Sequence, residues 1–259
     1  METSRVALVT AGSKGLGAAI ARALARDAQM RVAINFCSDA DAAEALVHEL
    51  EVLSPVPLEA SGTDPQRRFL AVKADMADRS EINRLVRHTV NEMGRLDVVV
   101  SNAGWTKVTD FMDLQQAEDE LDWDRCFNVN VKSHLFLFQA CAPHLDLTEG
   151  AFISTASIAG VKPSGSSLPY AVSKAALIHL CRSLAVIAAP RIRVNSVSPG
   201  VVLTDWGLKF PKDQLRAVEE KNSLKRFVAV EDVAMQVLYL ANSKSVTGTN
   251  NVIDAGFSL

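Results

Sequence analysis

The stretch Val6-Ala7-Leu8-Val9-Thr10-Ala11-Gly12-Ser13-Lys14-Gly15-Leu16-Gly17-Ala18-Ala19-Ile20-Ala21-Arg22-Ala23-Leu24-Ala25 decides the fold. Its first four residues form an unbroken apolar run that ends in a turn, which is how a strand buried on both faces reads. Gly12, Gly15 and Gly17 then let the backbone turn tightly and approach a pyrophosphate, with Ser13, Lys14 and Leu16 completing the loop. Apolar residues at helical spacing follow, so the loop opens into a helix start whose free N–H groups suit an anion. Glycines alone would fit an ordinary turn. Their place between a first strand and a first helix points to a nucleotide.

Outward from that unit the pattern repeats. Strand-like runs at 32–36, 69–73, 96–100, 151–154, 192–197 and 251–253 alternate with helical patterns at 16–28, 40–53, 79–93, 118–142, 168–188, 205–221 and 231–241. Repeated β-then-α order predicts an α/β fold: a Rossmann-type, doubly wound, parallel seven-stranded sheet with helices on both faces. No composition break divides the chain, so residues 1–259 read as one dinucleotide-binding and catalytic domain. The segment 54–67, with three prolines and a glycine, reads as a surface excursion between the second helix and the third strand.

The 259 residues are 48% hydrophobic and 22% charged, fractions of an ordinary globular protein. With 27 basic and 30 acidic residues the net charge is −3, which gives no electrostatic reason to expect nucleic acid or an anionic membrane surface. No apolar run approaches the ~18 residues of a membrane span, and the first residues lack the order of a signal peptide. Four cysteines without CxxC spacing predict reduced thiols and a cytoplasmic protein. The five histidines show no HExxH or Cys/His spacing, so no metal is expected.

The second strand should carry the choice of cofactor. An NAD site places a carboxylate at that strand's end to hold the ribose 2′-OH, and a carboxylate there would repel a 2′-phosphate. Here the strand ends Asn35-Phe36-Cys37-Ser38, and the first acid, Asp39, already belongs to the next helix start. Its absence, together with Lys14, favours NADP(H). Lys14 offers a point charge, and Asn35 and Ser38 offer hydrogen bonds to phosphate oxygens. The plainer alternative is that Lys14 is a solvated lysine.

Tyr170 and Lys174, in Tyr170-Ala171-Val172-Ser173-Lys174, are four apart at a helix start and so share one face. Ser157 lies just past the fifth strand, Asn130 lies in Cys126-Phe127-Asn128-Val129-Asn130, and Ser101-Asn102-Ala103-Gly104 follows the fourth strand. In this order, with Asp75 after strand three, Ser198-Pro199-Gly200 followed by Thr204, and the closing Ile253-Asp254-Ala255-Gly256, the chain resembles the short-chain dehydrogenase/reductase family over essentially its whole length. It departs from the family in one place. The family's loop usually begins Thr-Gly, whereas Ala11 stands between Thr10 and Gly12, so Ala11 must accept a conformation usually given to glycine.

A phenol titrates near pH ~10, and the Lys174 ammonium one turn away should lower that value, letting Tyr170 act as the acid/base. Ser157 would donate to the substrate oxygen, or merely cap the turn after its strand. The resemblance implies that Lys174 also holds the nicotinamide ribose. It further implies that Asn130 holds a relay water, the alternative being an amide that only bridges backbone. It places Asp75 with Met76 at the adenine, Asn102, Ala103 and Gly104 along the adenine ribose, and Pro199, Gly200, Val202 and Thr204 toward the carboxamide. Substrate should meet Trp105, Ser157, Trp206 and Phe210, with 204–222 as a lid, and those aromatics favour a hydrophobic, aromatic or polycyclic small molecule. The apolar residues Phe127, Phe136, Leu137, Phe138, Leu177, Leu180 and Leu184 exceed what one sheet face needs, and predict a homotetramer or dimer as the family implies. The expected activity is NADPH-dependent reduction of a carbonyl, or oxidation of the alcohol. Alternatives are reduction of an imine or conjugated C=C, or a nucleotide-bound cyclase or sensor without redox turnover.

Overall fold

A computed structural model describes residues 4–55 and 67–259. The expected excursion at 54–67 therefore lies outside the described residues except for its flanks Ser54, Pro55 and Arg67. The strands are β1 (Val6–Val9), β2 (Arg31–Phe36), β3 (Phe69–Lys73), β4 (Val98–Ser101), β5 (Ala151–Thr155), β6 (Arg193–Pro199) and β7 (Asn250–Ile253). They form one parallel sheet in the order β3-β2-β1-β4-β5-β6-β7. This is the doubly wound, seven-stranded α/β sheet that the sequence predicts.

The helices are α1 (Gly15–Arg26), α2 (Ala40–Leu53), α3 (Arg79–Met93), α4 (Glu120–Phe127), α5 (Ser133–Thr148), α6 (Leu168–Ala188), α7 (Lys212–Lys221) and α8 (Val230–Asn242). Side chains alternate along a strand, and β1 shows the consequence. Val6 and Leu8 enter a core shared with α3, α5 and α6, whereas Ala7 and Val9 enter a second core with α1, α2 and α8. Asp39, Asp78, Asp119 and Ser167 each accept a backbone N–H at a helix start, which fixes where α2, α3, α4 and α6 begin.

The stretch expected as one helix over 118–142 is divided. α4 and α5 are joined by a π-helical turn at Asn128–Lys132, and α5 runs on through Pro143 to Thr148. Hydrophobic spacing does not distinguish a π turn from an α turn, so the division is invisible to periodicity. Among the described residues one helix, α6, has the length and apolar composition of a membrane span. It lies on the sheet with Leu177, Ile178, Cys181 and Leu184 buried in the core.

The strand order reverses between β1 and β4, and α/β folds of this kind open a crevice beyond the strand ends at that switch.

Candidate active site

Beyond the C-terminal ends of β1, β4, β5 and β6 lies a cleft of about 410 Å³. One wall is the glycine loop with Lys14, Gly15, Leu16 and Gly17. The other carries Ser157, Tyr170 and Lys174. Pro199, Gly200, Val202, Thr204, Trp206 and Phe210 cover it, and Asn102 and Gly104 form part of its floor.

The loop is built for close backbone approach. A Cβ on Gly17 would lie 2.2 Å from the Ala11 carbonyl oxygen, so no other residue fits there. Ala11 has φ +47°, the left-handed conformation expected of it. Its N–H donates to Asn35 Oδ1 at 3.1 Å, and Gly12 N–H donates to the Asn35 carbonyl at 2.8 Å. No side chain caps the start of α1, so its first N–H groups face the cleft without a side-chain acceptor. A cradle of bare backbone donors fits the pyrophosphate of a dinucleotide.

Two expectations for the cofactor's phosphate change here. Asn35 is buried, and its Nδ2 donates to the carbonyls of Ala74 (2.9 Å), Phe36 (3.2 Å) and Val72 (3.3 Å). Its amide is spent tying the loop to β3 and does not offer a hydrogen bond to a phosphate. Lys14 is no free solvated charge either. It forms an ion pair with Asp39, whose carboxylate is held below its usual range first by that contact and then by the Ala42 N–H. Ser38 lies exposed at the same corner.

Ser167 caps α6 by accepting from Tyr170 N–H at 3.3 Å, with Pro169 in the first turn, and so sets where Tyr170 leaves the helix. That cap was legible as a Ser three residues before the Tyr with a Pro between, but the sequence reading passed over it. Tyr170 and Lys174 share a face, the ammonium lying 5.7 Å from the centre of the phenol ring. Lys174 Nζ is buried and donates to the Thr155 carbonyl at 2.8 Å. Ser157 starts a short 3₁₀ turn and accepts from Ala159 N–H at 3.2 Å, so its capping role is real and its O–H still points a proton elsewhere.

The titration behaviour departs from expectation. Burial pushes the Tyr170 phenol up to about 12, with the nearby Ser157 hydroxyl opposing the shift. Burial also pushes Lys174 down to about 8. Desolvation is the largest cause at both groups, so the phenol lies above its usual value where the spacing suggested a lowered one. At neutral pH the site holds a protonated phenol beside a largely protonated amine.

Asn130 does not line the cleft. Its Oδ1 accepts from Trp105 N–H at 2.7 Å, and its Nδ2 donates to the Trp105 carbonyl and to Ser173 Oγ, each at 2.9 Å. Ser173 Oγ in turn donates to the Tyr170 carbonyl at 2.7 Å. The side chain is thus a bridge that holds the π turn, the 102–105 loop and α6 together. Asn102 is used in the same way. Its Nδ2 donates to the Thr10 and Ala11 carbonyls, and its Oδ1 accepts from Thr155 Oγ1 at 3.0 Å.

Trp206 leans over the site. Its ring centre is 6.2 Å from that of Tyr170, and both its Cη2 and Lys174 Nζ stand about 3.5 Å from where a Cβ on Gly104 would be. Trp105, expected at the substrate, instead lies under the Arg125 guanidinium at 4.6 Å and outside the cleft. Gly12, Ser13, Ala103, Asp75 and Met76 also lie off the cleft wall. Asp75 is exposed beyond β3, its carboxylate accepting from Ala77 N–H at 2.8 Å. Thr155, Ser166 and Asp205 line the cleft and were not anticipated, since neither motif nor spacing marks them.

A family model described as Enoyl-(Acyl carrier protein) reductase matches residues 10–258. The chain belongs to the short-chain dehydrogenase/reductase family. Among its relatives, the 3-oxoacyl-(acyl-carrier-protein) reductase FabG of Staphylococcus epidermidis is 32% identical, with 98% of each chain covered. Among solved structures, a short-chain dehydrogenase from Burkholderia cenocepacia in complex with NADP has a TM-score of 0.85 at 33% identity, covering 100% of both chains. A 7α-hydroxysteroid dehydrogenase complexed with NADH and 7-oxo glycochenodeoxycholic acid has a TM-score of 0.84 at 26% identity, covering 98% of this chain and 94% of that one. Short-chain dehydrogenase/reductase members of this shape therefore carry either dinucleotide, and the chain is an oxidoreductase by family.

Proposed function

We propose that this protein is an NADPH-dependent reductase of a carbonyl on a small, hydrophobic substrate, able to run backward as an alcohol dehydrogenase. The observation that carries the reading is the meeting of Ser157, Tyr170 and Lys174 on one wall of the cleft whose opposite wall is the glycine loop. A nicotinamide dinucleotide bound in that cleft would supply the hydride. The chain's own groups handle the oxygen. Tyr170 gives its phenolic proton to the developing alkoxide, and Ser157 donates a hydrogen bond to the same atom as charge appears. Lys174 places a cation one turn below the phenol, which stabilises the phenolate left after transfer. A phenol that stays protonated at neutral pH favours the reductive direction there.

Ile158, Trp206 and Phe210 give the cleft an apolar side, which supports a hydrophobic substrate. The absence of an acid on β2 itself supports NADP(H), and a 2′-phosphate would have to draw Lys14 away from Asp39. A cytoplasmic site of action fits four free cysteines. Initial rates of NADPH oxidation with ketones, conjugated enones and cyclic imines test the reading. Turnover confined to ketones is expected. Turnover with enones alone would replace it with a C=C reductase, and silence across the panel would remove the redox reading.

A further inference from the structure

The turn after β7, residues 254–258, touches three segments that border the cleft. Asp254 shapes it: its carboxylate accepts from Gly256 N–H and Ser258 N–H, each at 2.8 Å, and those bonds hold it below its usual range against the effect of burial. First, a Cβ on Gly200 would lie 3.0 Å from Asp254 Cα, and Gly200 N–H donates to the Ile253 carbonyl at 2.8 Å, so the turn backs onto the loop that leads into the cover of the cleft. Second, Lys162, on the segment that follows Ser157, donates from Nζ to the Phe257 carbonyl at 3.2 Å and stands 5.5 Å from the centre of the Phe257 ring. Third, Lys221, the last residue of α7, stands 4.7 Å from the same ring. Just beyond α7, Leu224 N–H donates to the Ala255 carbonyl and Ser223 Oγ donates to the Gly256 carbonyl, each at 3.0 Å. The approach is close enough that a Cβ on Gly256 would come 2.7 Å from Ser223 Cβ.

One aromatic ring thus receives a cation from each side of the substrate entrance, one from the Ser157 segment and one from the end of the covering helix. α7 has no fully buried side chain of its own and rests on the body through half-buried Leu215 and Val218, so the contacts at its trailing end carry weight. We propose that Phe257 is a positioning residue: it clamps the trailing end of the 204–222 cover to the Ser157 segment and thereby sets the aperture of the substrate site. It touches neither Tyr170 nor the glycine loop, so it governs substrate capture and leaves proton transfer and dinucleotide binding alone. This rests on the proposed reductase reading for its kinetic effect, but the clamp itself has a readout independent of activity.

Limited trypsinolysis of the full chain provides that readout, because Lys209, Lys212, Arg216 and Lys221 lie within the cover, the first three serving as reporters in every variant. In Phe257→Ala, cleavage between 205 and 222 should speed up about fivefold while cleavage elsewhere stays at the wild-type rate. Phe257→Tyr should restore protection, since it keeps the ring and its cation contacts. Lys221→Gln, a change at an exposed position that also removes one tryptic site, should speed cleavage after Lys209, Lys212 and Arg216 partway. With a ketone found in the panel above, Phe257→Ala should raise KM several-fold with kcat within twofold and NADPH affinity unchanged. Unchanged cleavage of the cover in both Phe257→Ala and Lys221→Gln would overturn the clamp. So would failure of Phe257→Tyr to restore protection, or losses in kcat and NADPH affinity as large, in fold terms, as the rise in KM. If no substrate in the panel turns over, the reductase reading fails while the proteolysis still decides the clamp.

Discussion

Lys174 is a cation buried against a carbonyl, and burial holds it near 8. Stability rises with pH wherever the unfolded chain binds more protons than the folded one. An unfolded lysine keeps its proton to about pH 10.4, whereas folded Lys174 releases it near 8, so its contribution is present at high pH and lost as pH falls through about 8. Urea unfolding of the cofactor-free protein should show the stability of the wild type relative to Lys174→Met climbing by roughly 3 kcal/mol between pH 8 and 10. The buried thiols of Cys126, Cys141 and Cys181 and the Tyr170 phenol, all raised by burial, oppose that rise in the wild type and the variant alike, so the difference isolates the amine. Ala11 makes a second prediction at this scale. A left-handed alanine is strained by roughly 1–2 kcal/mol, part of which glycine gives back as unfolded-state entropy. Ala11→Gly should therefore stabilise the protein by about 0.5–1 kcal/mol in denaturant titrations. Both residues were legible in the sequence as features of the site: Ala11 from a displaced glycine, Lys174 from a four-residue spacing. The direction of the phenol's shift was not, because spacing carries no measure of burial.

Among the elements, the segment around the π turn shows where reading a sequence stops. A helix pattern from 118 to 142 was visible, but the turn at 128–132 and its purpose were not. The turn brings Asn130 against Trp105 and Ser173, and those partners are 25 and 43 residues away in the chain, where no local pattern points to them. Asn35 is a similar case. Its place at a strand end suggests a phosphate ligand, yet its partners on and just past β3 lie 37 and 39 residues downstream. In both, short polar side chains at strand and helix junctions satisfy backbone that the fold itself strands there. Asn130→Ala leaves the Trp105 N–H and carbonyl and the Ser173 hydroxyl without their partner. Denaturant unfolding should show a loss of roughly 2–3 kcal/mol. A loss under about 0.5 kcal/mol would mean that the bridge is idle.

At the scale of the molecule, the seven strands, their parallel doubly wound sheet and the run of helices between them were legible, since short buried strands and amphipathic stretches alternate along the chain, whereas the break inside 118–142 and the late start of α7 were not. Of the apolar residues that suggest self-association, Phe127, Phe136 and Leu180 stay half-buried and the other four do not reach the surface. Leu137, Phe138, Leu177 and Leu184 are buried within this chain, and Phe136 carries the Arg79 guanidinium 4.4 Å above its ring. The apolar surface that stays exposed is instead Leu121, Leu147, Val172, Val186 and Ile187 on α4, α5 and α6. A homodimer or tetramer through these helices is the expected assembly, and light scattering on a Val186→Glu, Ile187→Glu variant should show it shifted to smaller species. The whole account turns on the Tyr170 phenol, half-buried on the cleft wall, delivering its proton beside a bound dinucleotide. The most direct measurement is Tyr170→Phe, assayed by NADPH titration and by turnover with the best ketone. Removal of a general acid predicts a fall in kcat of about 10³-fold with NADPH affinity within twofold of the wild type. A variant that keeps most of its rate would contradict it.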